Sequence, residues 1–212
     1  MTRVPGTRAV AFAQWAQDTC RSPSHDIGSV TVTHPRSFPT IVVSLLMAAC
    51  TVNAQELELA HGAELLEPFK KDLQMALKSG LEAGTAEAIQ VCRLEAPGIA
   101  DALSVDGIRM GRSSHKLRNP DNMAPEWVSP IIQAYLDDPS NRKPRAVALS
   151  GKRWGYAEPI IVQPLCLTCH GSELAPDVAK RISELYPEDK ATGFAAGDLR
   201  GVFWVEFPET AR

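Results

Sequence analysis

Residues 145–170 read RAVALSGKRWGYAEPIIVQPLCLTCH, two strand patterns followed at once by a cysteine motif. Arg145 to Leu149 and Trp154 to Val162 alternate or run apolar around Ser150 and Gly151, as two antiparallel strands joined by a turn do. Just past the second strand, Cys166, Leu167, Thr168, Cys169 and His170 spell C-x-x-C-H, the attachment signature for c-type haem. Two thiols separated by two residues add across the two vinyl groups of one porphyrin. The next residue then lies under the iron, where imidazole is the usual proximal ligand, and here that residue is His170.

Two other chemistries use similar spacing. A dithiol redox motif wants a parallel strand running into a helix that opens on the first Cys, but Pro164 intervenes and Gly171 follows His170 directly. A zinc site built on Cys166, Cys169 and His170 needs a fourth ligand, and no second C-x-x-C or H-x-x-x-H occurs in the chain. Haem c, one and covalent, is the preferred reading of the three.

On the C-terminal side of the motif, Pro176 to Leu185 has helical spacing and Gly201 to Phe207 is a strand of aromatic and β-branched residues. On its N-terminal side, Glu56 to Gly80 predicts one helix or two, with Pro68 opening the second or kinking the first. Its apolar stripe is read as Leu66, Phe69, Leu73, Met75 and Leu77. Thr85 to Glu95 predicts a helix capped by Thr85, favoured by Glu87 and stopped by Pro97. Val105 to Gly111 predicts a short strand beginning with an Asp106, Gly107 turn, and Glu126 to Leu136 a helix. The sum is α+β, helices flanking a small sheet. No internal repeat, Walker or nucleotide-binding pattern occurs.

Covalent haem attachment in bacteria takes place outside the cytoplasmic membrane, so the motif asks for an export signal. Arg36 precedes an apolar run from Ile41 to Ala49, too short for an integral membrane span of about 20 residues and ending in small residues. Residues 34–54 therefore read as a signal peptide cut after Ala54, which places the product in the periplasm; the alternative is a lipoprotein anchored at Cys50. Residues 1–33 are polar and without periodicity, and read as a disordered leader or a mis-assigned start. Residues 55–212 then form one domain, about 160 residues long and able to bury a real core. The chain's formal net charge of −3 becomes about −5 without the leader, which argues against nucleic acid or an anionic membrane as partner.

Of five cysteines, Cys20 and Cys50 leave with the leader and two belong to the motif, so Cys92 alone keeps a thiol in an oxidising compartment. It shares the inner face of its helix with Ile89, and reads either as a small buried hydrophobe or as a sixth iron ligand. Competing distal ligands are His61 near the mature terminus, Met75 in the helical stripe, His115 and Met110 flanking a polar loop, and Met123.

Several ordered segments resemble the family of PAS-like c-type haem domains, found in bacteria as lone exported proteins and as sensory modules. They are Ala88, Ile89, Val91, Cys92 with Ala96, Pro97; Gly111 to Ser114 with Arg118, Asn119, Pro120, Asn122; Cys166 to Gly171; Tyr186, Pro187, Asp189, Ala191, Thr192, Gly193; and Gly197, Asp198, Arg200, Gly201. The resemblance implies a PAS-like fold, a small antiparallel sheet flanked by helices with an N-terminal helix and a covalently bound haem. It implies thioethers at Cys166 and Cys169, proximal ligation by His170 and distal ligation by Cys92. Arg112 and Arg118, which fall in matched segments, pair with haem propionates or scaffold their loop. Asn119 and Asp198 read as turn formers.

The function so implied is a redox or diatomic-gas sensor, with a gas as ligand and a separate signalling or redox protein as partner, because no effector domain is present. The alternative is a periplasmic electron-transfer cytochrome c. An enzyme is not expected, since only His115 offers itself as a distal acid or base.

Overall fold

A computed structural model describes residues 53–209 of the chain. The leader, the apolar run at 41–49 and Cys50 lie outside the described residues.

The long N-terminal pattern forms one helix, α1 (Ala54–Ala83), with Pro68 inside it and the Asn53 side chain accepting from the Gln55 amide at its start. Its buried stripe is Gly62, Leu66, Phe69, Leu73, Ala76 and Gly80, an alternation of three- and four-residue steps. Met75 and Leu77 fall off that stripe, and Met75 is 53% exposed, so the expected core role of Met75 is corrected. Gly84 rather than Thr85 caps the next helix, α2 (Thr85–Leu103). That helix runs through Pro97 instead of stopping there. The proline removes one backbone hydrogen bond, but Ile99, Ala100 and Leu103 beyond it pack on the core, and tertiary burial outweighs the local break.

Strand β1 (Arg109–Ser113) starts later than expected. The preceding residues make a tight turn in which Ile108 N donates to Val105 O at 2.8 Å, with Asp106 and Gly107 at φ 51° and 80°. Helix α3 (Ser129–Asp137) also starts later, with Pro130 in its first turn. The hairpin of β2 (Arg145–Leu149) and β3 (Arg153–Ile161) is present with Leu149 opposite Arg153. After β3 come a 3₁₀ turn (Pro164–Cys166), the one-turn α4 (Leu167–His170), α5 (Pro176–Leu185) and the final strand β4 (Leu199–Pro208).

The sheet is antiparallel with order β1-β4-β3-β2, so the last strand in sequence is central. Period-two alternation along β4 sends Phe203, Val205 and Phe207 to the face covered by α1 and α2, where Leu66, Phe69, Met110 and Tyr156 join them. Val202 and Trp204 go to the other face, against Val128, Ile131, Ile132 and Tyr135 of α3 and the residue before it. The α+β architecture, with an antiparallel sheet flanked by helices and a long N-terminal helix, is therefore observed. No helix among the described residues is long and apolar enough to cross a membrane.

One carboxylate is buried on the α3 face. Glu206 accepts from Trp127 Nε1 at 2.7 Å and from Arg109 Nη1 at 3.3 Å, and faces Arg153 Nη2 at 3.6 Å. Glu206→Ala leaves the half-buried indole N–H without an acceptor, and urea unfolding is expected to report a loss of about 1–3 kcal/mol.

Candidate functional site

The motif sits where β3 runs out of sheet. Pro164 opens the 3₁₀ turn, whose amide at Gln163 donates to Cys166 Sγ at 3.3 Å, and α4 then carries Cys169 and His170. Cys166 packs beside Val162, Ala191 and Phe194, whereas Cys169 packs into a second cluster of Ile89, Val178, Ile182 and Tyr186. The two thiols thus belong to different apolar clusters on either side of the turn.

His170 Nδ1 lies 2.6 Å from Ala191 O. A carbonyl only accepts, so Nδ1 carries the proton and Nε2 keeps its lone pair free for a metal. Burial, and then the positive fields of Arg200 and Arg118, pull the His170 pKa down to about 3. The imidazole is therefore neutral across the physiological range, the form a ligand must have. The edge of its ring also meets Phe194, at 6.3 Å between centroids.

Cys92 lies on α2 one turn beyond Ile89, which is in the Cys169 cluster. It lines a cavity of about 50 Å³ together with Arg112, Asn119, Asn122 and Tyr186. Burial raises the pKa of Cys92, against the opposing fields of Arg112 and Arg118. Cys169 is also raised by burial, and feels Arg118 and Cys92. The structure therefore brings Cys92 and the motif to one region, joined by α2 and α5.

Of the competing distal residues, His115 lies near the motif, its ring meeting the same Phe194 as the His170 ring, and the others are placed elsewhere. Met110 is 7% exposed within β1 and belongs to the core with Phe69 and Phe207, not to a loop. His61 is on α1, edge-on to Phe207 at 5.0 Å, and not in a frayed terminus. Met123 and Met75 are exposed. His115 is exposed and edge-on to Phe194 at 5.8 Å, beside a separate cavity with Lys116 and Arg142; its pKa is lowered by burial and by Lys116 and Arg200. Asn119 caps the 3₁₀ turn Pro120–Asn122, and Asp198 accepts from Ala195 N at 2.7 Å, both as turn formers.

The two arginines behave differently. Arg118 is fully engaged with protein: it forks onto Asp189 and donates to Cys169 O and Ala191 O. Among the described residues the Arg112 side chain makes no hydrogen bond or ion pair, and it faces the Cys92 cavity. Sequence reasoning missed Arg200, a third cation. It stacks over Phe194 at 5.5 Å, donates to Lys116 O, and is pulled down to about 10 by burial and by the like charges of Arg112 and Arg118. Asp189, the partner of Arg118, was missed as well. Both lie in segments quoted for the resemblance, and their order in the chain was the only signal for them.

Among the described residues no three His, Cys, Asp or Glu side chains converge as a zinc site requires. What the fold and the turn define is a small α+β domain that presents a C-x-x-C-H motif beside a half-buried cysteine and a group of arginines. The chain belongs to the Tll0287-like family, whose model matches residues 46–208. The crystal structure of the cyanobacterial heme-protein Tll0287 shares the fold, with a TM-score of 0.54 and 24% identity over 74% of this chain and 98% of that one. No curated protein matches the chain in sequence.

Proposed function

We propose that this chain is an exported monohaem protein that holds its cofactor by thioethers at Cys166 and Cys169, with His170 as proximal and Cys92 as distal ligand, and senses redox state or a diatomic gas. The observation that carries the reading is the His170 ring, half-buried, neutral and held by Ala191 with Nε2 free, immediately after two cysteines at attachment spacing. The structural neighbour is a heme-protein, which supports the same cofactor.

The residues fit the group on two counts. Arg200 is repelled by Arg112 and Arg118 and feels the attraction of Asp189, which Arg118 already holds, so a dianionic cofactor would relieve the three cations. Arg112, whose side chain has no hydrogen bond or ion pair among the described residues, and Arg200 are the better candidates for its propionates. The donor set of imidazole and thiolate also suits ferric iron. The cavity beside Cys92 is far smaller than a porphyrin, so loading has to move side chains that line it.

Bound haem would supply a redox-active iron. The chain's own parts do the rest: His170 stays fixed by Ala191, while Cys92 rides on α2 and can pass its release to that helix. The test is optical. Protein made in a host that performs c-type maturation is expected to be coloured, and in alkaline pyridine its reduced form should give the c-type band; colourless or zinc-loaded protein sinks the reading. Coordination that changes on reduction, or carbon monoxide binding, supports the sensor. Six-coordinate iron in both states with no carbon monoxide binding makes it an electron carrier instead. In this reading the chain is not an enzyme.

A further inference from the structure

Arg118 is 71 residues from Asp189 and 51 from Cys169 in sequence, and it ties both to one point. Its side chain is 12% exposed and that of Asp189 is 8% exposed. Nε donates to Asp189 Oδ1 at 3.1 Å and Nη2 to Oδ2 at 3.2 Å. Nη2 also donates to Cys169 O at 2.6 Å and to Ala191 O at 3.3 Å. Asp189 Oδ1 in turn accepts from Ala191 N at 2.9 Å. Ala191 is thus held by its amide through Asp189 and by its carbonyl through Arg118, and that same carbonyl accepts His170 Nδ1–H.

A buried guanidinium spread over a carboxylate and two carbonyls is an arrangement that only a planar fork can make. We propose that Arg118 is the positioning residue for His170. By pinning the Ala191 carbonyl behind the ring it fixes the Nδ1–H tautomer and the ring plane. By sharing that carbonyl it weakens the acceptor, which limits the anionic character the imidazole can acquire. The inference gives Arg118 a role distinct from propionate binding. It rests on the reading of His170 as the iron ligand, yet its first consequence belongs to the polypeptide alone.

Nitrogen NMR of histidine-labelled full-length chain, made without maturation, reads the tautomer directly. The unsubstituted chain is expected to show His170 in a single Nδ1–H form, and Arg118→Gln to show two tautomers in exchange with the fold retained by circular dichroism. Arg118→Lys keeps the charge without the fork and should resemble Arg118→Gln; restoration of the single form by lysine would overturn the proposal, because charge alone would then suffice. Should Arg118→Gln not fold, Asp189→Asn removes the opposing charge more gently and is expected to give the same mixture in smaller proportion. A single tautomer in every variant also overturns it.

In haem-loaded protein, Arg118→Gln should lower the reduction potential, as a stronger acceptor behind the ring makes His170 a better donor to ferric iron. An unchanged potential sinks the inference while leaving the haem reading intact. Failure of the unsubstituted chain to load haem sinks that reading and leaves the tautomer result standing.

Discussion

Gly62→Val is expected to cost about 3 kcal/mol or more, and to lower the thermal midpoint on the order of 10 °C in a circular dichroism melt. Gly62 is where α1 comes down on the sheet. A Cβ at this position would stand 2.3 Å from Tyr156 Cβ and 2.4 Å from its Cγ, well inside van der Waals contact. Tyr156 cannot yield. It is 2% exposed in β3, packed among Leu66, Phe69 and Phe207, and its hydroxyl donates to Glu158 Oε2 at 2.8 Å. Burial and the neighbouring Glu158 both raise the Tyr156 pKa, so the hydroxyl keeps its proton well above neutral pH. The remaining relief is for α1 to lift from the sheet, which opens the larger core. Gly98→Ala on α2 is the matched control, since a Cβ there meets nothing within 4 Å. It should be neutral or stabilising by up to about 1 kcal/mol, because alanine loses less backbone entropy in a helix. If both substitutions behave alike, the close approach of α1 to β3 is not what holds the helix down.

The legible parts of this fold are those whose information is local. The β2–β3 hairpin follows from alternation and from a turn at Ser150 and Gly151, and β4 from its aromatic and β-branched residues. The sequence predicts an end to α2 at Pro97 because the rule for a helix-breaking residue is local, whereas the burial of Ile99 and Leu103 that overrides it is not. Met75 was misplaced for a simpler reason: it sits two residues past Leu73, about 200° around the helix, and Ala76 and Gly80 are too small to be noticed as the true stripe. At the site, the C-x-x-C-H motif names itself and helical spacing puts Cys92 one turn from Ile89. The network behind His170 has no local trace, because Arg118, Asp189 and Ala191 meet only when the end of β1 and the segment after α5 close over the motif.

Cys92→Ser is expected to turn the ferric absorption and resonance spectra of haem-loaded protein from low-spin to predominantly high-spin, and to raise the reduction potential. A serine hydroxyl keeps nearly the size and position of the thiol but is a poor ligand, so packing changes little while ligation is lost. The cavity that Cys92 lines offers no replacement. Asn119 and Asn122 carry amides, Tyr186 is raised by burial and stays protonated, and Arg112 brings a positive charge. Met110 is locked in the core and His61 faces Phe207, so neither takes the place of Cys92 without unfolding its own element. An unchanged low-spin ferric signal would remove Cys92 from the iron and leave it a half-buried thiol among the α2 and α5 side chains. A changed ferric signal with an unchanged ferrous one would mean that Cys92 has already left in the reduced state of the unsubstituted protein. That is the behaviour required of a switch. In such a protein the motion starts at Cys92 and is carried by α2, which packs on α5 through Ile89 and on the core beneath the sheet through Ile99 and Leu103.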